Sequence, residues 1–194
     1  MCYESRKAEA AIMNIRIVAG TLGGRKIDAP DGTTTHPMSE RARNALFNKI
    51  IDDIEGAEVL DAFAGTGALG LEALSRGARK ATFIERDRVA QKVIAKNIVT
   101  LGLEDRVDLV RANVGGWLEN NSEKKLQYDI IFADPPYHDL QFSTVVKLMG
   151  LLKPGALMVL SHPGRSESPT KPGVVVVDNR SYGDATLTFY RRES

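Results

Sequence analysis

Two stretches of this chain carry residue types at spacings that could do chemistry. The first is Ala133-Asp134-Pro135-Pro136-Tyr137, which follows the apolar run Tyr128-Asp129-Ile130-Ile131-Phe132. That run reads as a strand buried on both faces. The two prolines end it, because neither can donate a ladder hydrogen bond. A carboxylate, a stiff turn and an aromatic ring then sit together at the carboxyl end of a strand, where open α/β sheets hold their ligands. On so stiff a backbone the Asp134 carboxylate and the Pro135 carbonyl can accept hydrogen bonds without reorganising. Tyr137 can lie flat against a planar ring. For Asp-Pro-Pro alone, the structural alternative is a strand end followed by a rigid turn.

The second stretch runs from Val59 to Gly70. Val59-Leu60-Asp61-Ala62-Phe63 reads as a strand, and Ala64-Gly65-Thr66-Gly67-Ala68-Leu69-Gly70 turns into a helix through Leu71, Leu74 and Ser75. Glycines here allow a tight turn and a close backbone approach to a ligand. The spacing Gly65-x-Gly67-x-x-Gly70 fits the dinucleotide fingerprint. Glu85, about 20 residues on at the end of the strand Ala81-Thr82-Phe83-Ile84-Glu85, stands where a ribose-binding acid is expected. This spacing leaves a nicotinamide enzyme and a methyltransferase both open. Asp61 tilts the balance. A carboxylate there would repel a pyrophosphate held at the helix start, whereas it would attract the ammonium of a cofactor that has no phosphate.

Asp134-Pro135-Pro136-Tyr137 resembles the catalytic tetrapeptide of S-adenosylmethionine-dependent methyltransferases that modify exocyclic amino groups of nucleobases. Asp61-Ala-Phe-Ala-Gly65-Thr-Gly67 resembles the first motif of the same superfamily. The run from Ser39 to Asn48, Ser-Glu-Arg-Ala-Arg-Asn-Ala-Leu-Phe-Asn, resembles the first helix of the RsmD type, bacterial enzymes that make N2-methylguanine in small-subunit ribosomal RNA. The ending Tyr182-Gly-x-x-x-Leu187-x-Phe189-Tyr190 resembles the same type. That family carries Arg-Pro-Thr before its first helix, where this chain has His36-Pro37-Met38, so any contact made there must be remade by His36 and Met38.

The resemblance covers the chain from Met13 onward and implies S-adenosylmethionine as cofactor. It implies a Rossmann-like seven-stranded α/β sheet with helices on both faces, its last strand antiparallel, plus an N-terminal β-hairpin and helix. It implies catalysis at Asp134, Pro135, Pro136 and Tyr137. Cofactor contacts are implied at Asp61, Phe63, Gly65, Gly67, Glu85, Asn113, His36 and Met38. The implied substrate is a guanine of 16S ribosomal RNA within a small-subunit particle, approached by a monomer. Adenine-N6 on DNA and a glutamine side-chain amide are the other amino-group targets. DNA enzymes usually add a target-recognition domain, for which 194 residues leave little room. From other classes, a nicotinamide-dependent oxidoreductase and an RNA-binding module without catalysis remain, and both are disfavoured by Asp134-Pro-Pro-Tyr137.

Several elements must position these groups. Ile15-Arg16-Ile17-Val18-Ala19, a turn over Gly20–Gly24 and Arg25-Lys26-Ile27 read as a hairpin. Between residues 16 and 49, six basic side chains (Arg16, Arg25, Lys26, Arg41, Arg43 and Lys49) face three acidic ones, a local bias that suits RNA as well as an ordinary solvated surface. Arg16, Arg25, Lys26 and Arg41 are the RNA-binding candidates. Ser39 caps a helix beginning at Glu40. A helix over 87–101 ends at Gly102, and Val107-Asp108-Leu109-Val110 reads as a strand leading to Asn113. Trp117 reads as core. A helix is expected from Leu140 to Leu152, closed by Lys153-Pro154-Gly155, then a strand Ala156–Leu160 ended by a structural His162. Strands Val174–Val177 and Ala185–Tyr190, joined by Asn179–Asp184, close the sheet.

Composition bounds the rest. At 194 residues one domain is expected, divided as a loose leader (1–12), the hairpin and loop (13–38) and the main domain (39–194). Met13 is an alternative translation start, which an intact mass of native protein tests. A net charge of +1 announces no global basic field. Cys2 is the only cysteine, which excludes an intramolecular disulfide and a cysteine-rich zinc site. No metal is expected. No apolar run reaches the ~20 residues of a membrane span, and no signal-peptide pattern is present, so a cytoplasmic protein is expected.

Overall fold

The computed structural model describes residues 14–30, 38–164 and 168–194. The proposed leader, Met13, His36 and Pro37 lie outside them. Strands β1 (Asn14–Arg16) and β2 (Lys26–Asp28) pair antiparallel, with Ile15 opposite Ile27. Helix α1 (Glu40–Lys49) starts where the Ser39 hydroxyl accepts from the Ala42 N–H at 3.2 Å, and a short α2 (Ile51–Ile54) follows. Then come β3 (Glu58–Asp61), α3 (Ala68–Ser75), β4 (Lys80–Glu85) and α4 (Arg88–Leu101). Asp87 caps α4 by accepting from Val89 and Ala90, and Gly102 ends it at φ +67°. The chain continues through β5 (Val107–Arg111), α5 (Val114–Asn120), β6 (Tyr128–Ala133), α6 (Phe142–Met149), β7 (Leu152–Pro163), β8 (Val174–Tyr182) and β9 (Ala185–Arg192).

Seven strands form one sheet in the order β5-β4-β3-β6-β7-β9-β8, and β1-β2 stands apart. Neighbours from β5 to β7 run parallel, and β9 is antiparallel to β7, as the resemblance implies. Alternation along each strand sends side chains to two faces. One face gathers Val59, Phe83, Ile130 and Phe132 against Phe47, Leu71 and Ile94 of α1, α3 and α4. The other gathers Leu60, Ile131 and Met158 against Trp117, Val145 and Leu148 of α5 and α6. Trp117 is core, as expected.

Several boundaries differ from expectation: the first hairpin strand shortens to Asn14–Arg16, and β7 runs past His162 to Pro163. The helix expected over Leu140–Leu152 spans only Phe142–Met149. Gln141 sits in the left-handed region at φ +46°, which delays the start, and Leu152 already pairs with Tyr128. Pairing of Leu152 and of Leu157 onward with β6 brackets Lys153-Pro154-Gly155, which lie within β7 at the register shift beside Tyr128, where a proline that cannot donate is accommodated. Likewise Asn179–Tyr182 belong to β8, opposite Thr188 to Ala185, so the connection shrinks to Gly183-Asp184. Edge-strand exposure on β8 hides the alternation that would reveal this.

The hairpin is anchored to α3. Glu72, fully buried, accepts from Val18 N–H (2.8 Å), Ala19 N–H (3.0 Å) and Arg76 Nε (2.8 Å), with Arg43 Nε at 3.5 Å. The Ser75 hydroxyl donates to Ala19 O and accepts from Leu22 N–H. Gly20 lies at φ +83°, and a Cβ there would sit 1.9 Å from the Ser75 carbonyl oxygen. Ile17, Ile27 and Ala29 of the hairpin region join the core of the first face. Among the described residues, no helix is long and apolar enough to cross a membrane.

Candidate active site

The order of strand addition reverses across the sheet between the parallel strands β3 and β6. After β3 the chain adds β4 and β5 on one side, then returns to place β6 on the other. A crevice opens outside the carboxyl ends of strands at such a switch point. Here it is a cavity of about 1400 Å³, lined by the Ala62–Thr66 turn after β3, Glu85–Asp87 after β4, Asn113 after β5, Asp134–Asp139 after β6 and Ser161 on β7. The two stretches singled out by sequence therefore meet in one cavity.

Asp134 follows β6 directly and is half-buried. Burial pushes its carboxyl up to about 6, while a hydrogen bond with the Ser161 hydroxyl pulls the other way. Among the described residues no cation pairs with Asp134, and the Pro135 carbonyl has no hydrogen-bond partner. The turn after the prolines is held by Asp139 N–H donating to Pro136 O at 2.8 Å. Tyr137 is 41% exposed, and its hydroxyl lies 2.9 Å from Ser161 Oγ. Burial raises its phenol above the ordinary value, the Ser161 bond opposes this, and the nearby Asp134 carboxylate adds to it.

The glycine turn is shaped by backbone that L side chains rarely adopt: Gly65 lies at φ +53° and Gly67 at φ +77°. Gly70 is required by packing, since a Cβ there would meet the Phe83 ring at 2.4 Å. Glu85 accepts from Gly65 N–H and from Asp87 N–H, both at 2.7 Å, and so ties the glycine turn to the start of α4. Met38, Phe63, Gly65, Glu85 and Asn113 line the cavity. Asp61 and Gly67 are not among the lining residues. Asp61 is 1% exposed and accepts from Gly70 N–H at 2.9 Å, holding the first turn of α3. Burial pushes Asp61 up to about 8; the Gly70 bond opposes this, and Asp134 and Glu85 add to it. Asn113 spends its carbonyl oxygen on the Gly116 N–H at 2.7 Å, capping α5, so its amide N–H groups are the unbonded ones.

The RNA-binding candidates separate. Arg16 is bound to Glu40 at 2.5 Å, and Arg25 donates to Thr100 O at 3.1 Å. Lys26 and Arg41 are exposed and have no ion pair among the described residues. Sequence reasoning missed several contributors to the cavity wall, among them Arg43, Gln141 and Ser161. Ser161 had a faint signal, a hydroxyl ending the apolar run Ala156–Leu160. Arg43 had none, because a helical arginine is ordinarily solvated.

A family model described as "Conserved hypothetical protein 95" matches residues 15–191. Ribosomal RNA small subunit methyltransferase D of Escherichia coli (strain K12) is 35% identical, covering 93% of this chain and 91% of its own. The protein of the same name from Haemophilus influenzae is 34% identical, covering 91% and 93%. The solved structure of the Escherichia coli chain yhhF, assigned as a methyltransferase, superposes with a TM-score of 0.83 at 34% identity, covering 94% of this chain and 99% of that one. With this match running from β1 to β9 and including both functional turns, the chain belongs to the RsmD-type family of ribosomal RNA methyltransferases.

Proposed function

We propose that this protein transfers the methyl group of S-adenosylmethionine to the exocyclic N2 amine of a guanine in small-subunit ribosomal RNA. The carrying observation is Asp134-Pro-Pro-Tyr137 at the end of β6, in the cavity that also holds the glycine turn of β3. The cavity chemistry fits the cofactor. Glu85, Asp87, Asp134, Asp139 and Asp184 line it against the guanidinium groups of Arg43 and Arg86. This acidic wall suits a sulfonium, an ammonium and a ribose diol, and it opposes the pyrophosphate of a dinucleotide. Glu85 is placed for the diol, the Gly65 backbone for the amino-acid end, and the Asn113 amide for a ring nitrogen acceptor. Asp61 acts from behind, by holding the first turn of α3.

Bound S-adenosylmethionine supplies a sulfonium methyl, which passes to the amine as the carbon–sulfur bond breaks. The chain must make a poor nucleophile attack, because the guanine N2 lone pair is delocalised into the ring. Asp134 and the free Pro135 carbonyl accept the two N–H groups, so fixed acceptors face the nitrogen where positive charge develops. Asp134 then takes the departing proton, or passes it to solvent. The exposed Tyr137 ring stacks on the base, worth ~1–3 kcal/mol. Positioning of the amine and methyl in line supplies a large part of the rate. The base must be unpaired or extruded to enter.

Small-subunit particles and naked 16S RNA from a strain lacking this protein, incubated with methyl-labelled cofactor, should acquire N2-methylguanine on nucleoside analysis. Label on adenine or on protein would replace guanine as the substrate. Calorimetric titration with NAD alone should give no heat, and NAD binding in place of S-adenosylmethionine would overturn the reading.

A further inference from the structure

Parallel pairing of β6 with β7 places Ala133 opposite Leu160. One residue further along both strands, Asp134 and Ser161 are neighbours at the carboxyl edge of the sheet. Ser161 is 4% exposed and lines the cavity. Its Oγ lies 2.9 Å from the Tyr137 hydroxyl, and the strand register sets it next to the Asp134 carboxylate, whose rise on burial it opposes as a hydrogen-bond donor. A serine hydroxyl has a single proton and two lone pairs. An ionised Asp134 can only accept, so Ser161 must donate to it. Tyr137 must then donate to Ser161.

We propose that Ser161 is a positioning residue that links Tyr137 to Asp134 in a directed chain of hydrogen bonds. The chain occupies one lone pair of the carboxylate and turns the remaining acceptor sites toward the substrate amine. It also fixes the plane of the Tyr137 ring relative to that carboxylate, so base stacking and amine capture share one register. The proposal rests on reading the cavity as the methyl-transfer site. Charged groups sharing the surroundings are Arg43 of α1, Glu85 at the end of β4 with Arg86 and Asp87 after it, Asp61 at the end of β3, His138 and Asp139 beyond Tyr137, and Asp184 in the β8–β9 turn. Burial already holds Asp134 at about 6, and the Ser161 bond restrains that rise.

The test compares Ser161→Ala and Ser161→Thr with wild type by two readouts. Carbon-13 carboxyl titration of the free protein, assigned with Asp134→Asn, follows Asp134 without any reaction. The pH profile of kcat follows methyl transfer. In Ser161→Ala, Asp134 should titrate about one pH unit higher, since a donor to its charged form is gone. The acid limb of kcat should move with it, losing about fivefold at pH 6 through titration alone. Ser161→Thr keeps the hydroxyl and should restore both. An unchanged titration and pH profile in Ser161→Ala would overturn the proposal. Wild type that methylates no ribosomal RNA would overturn the functional reading instead, and the carboxyl titration would still decide whether Ser161 holds Asp134.

Discussion

At the residue scale, Asp134 is half-buried and Asp61 fully buried, and the two carboxylates differ in what they face. Asp134 faces the cavity, so its oxygen atoms matter more than its charge. Asp134→Ala should lower methyl transfer by at least ~100-fold, the ordinary cost of removing one fixed transition-state hydrogen-bond partner. Asp134→Asn should retain part of the activity, because the amide carbonyl still accepts. Single-turnover rates decide this, and equal rates for Ala and wild type would remove Asp134 from the mechanism. Asp61 acts on stability. Its folded value, near 8, lies above the ordinary 3.8 because burial disfavours the charge. Its contribution is complete below about pH 4 and is lost as pH rises through 8. Asp61→Asn keeps an acceptor for the Gly70 N–H and removes the titration. Urea midpoints of the ligand-free variant should therefore fall less than wild type between pH 5 and 8.

At the element scale, the hairpin and α1 are locked to α3 through Glu72. Arg43 is 2% exposed and relies on that carboxylate. Removing one partner of a buried pair strands the other charge, so Glu72→Ala should cost about 3–5 kcal/mol of unfolding free energy. Gly20→Ala should cost more than ~1 kcal/mol, since it forces a side chain into a left-handed conformation against Ser75. Urea unfolding measures both. Proteolysis within residues 14–30 should accelerate in Gly20→Ala, because its cost falls on the docked turn. The same coupling explains why the amino-terminal hairpin belongs to the core of the first sheet face rather than to a free arm.

At the scale of the whole molecule, a near-neutral chain has a cavity lined mostly by acidic charges. Binding a cofactor whose sulfonium and ammonium outweigh its carboxylate, in front of Asp134 and Asp61, should lower both carboxyl values and release protons near pH 7. Calorimetry in buffers of different ionisation enthalpy should return different apparent heats, and identical heats would contradict linkage. Of the four RNA-binding candidates, Lys26 and Arg41 are exposed with no ion pair among the described residues, whereas Arg16 pairs with Glu40. Lys26→Ala and Arg41→Ala should each reduce the salt dependence of RNA binding by about one counterion. Arg16→Ala should change it less. Filter binding across a salt series measures all three.

Sequence alone determined the two strand ends that line the cavity. Asp134-Pro-Pro-Tyr137 and the glycine turn are local patterns, readable because prolines and glycines restrict or free the backbone whatever surrounds them. Periodicity located most strands and helices for the same local reason. Only the tertiary structure decided which residues complete the site. It moved Asp61 behind the cavity, spent the Asn113 carbonyl on a helix cap, and paired Arg16 with Glu40. It carried Lys153 to Gly155 within β7, at a register shift between residues paired with β6. That same register sets Ser161 beside Asp134. Such pairings join residues far apart in the chain, and interstrand hydrogen bonding and burial decide them after collapse, beyond the reach of any local pattern.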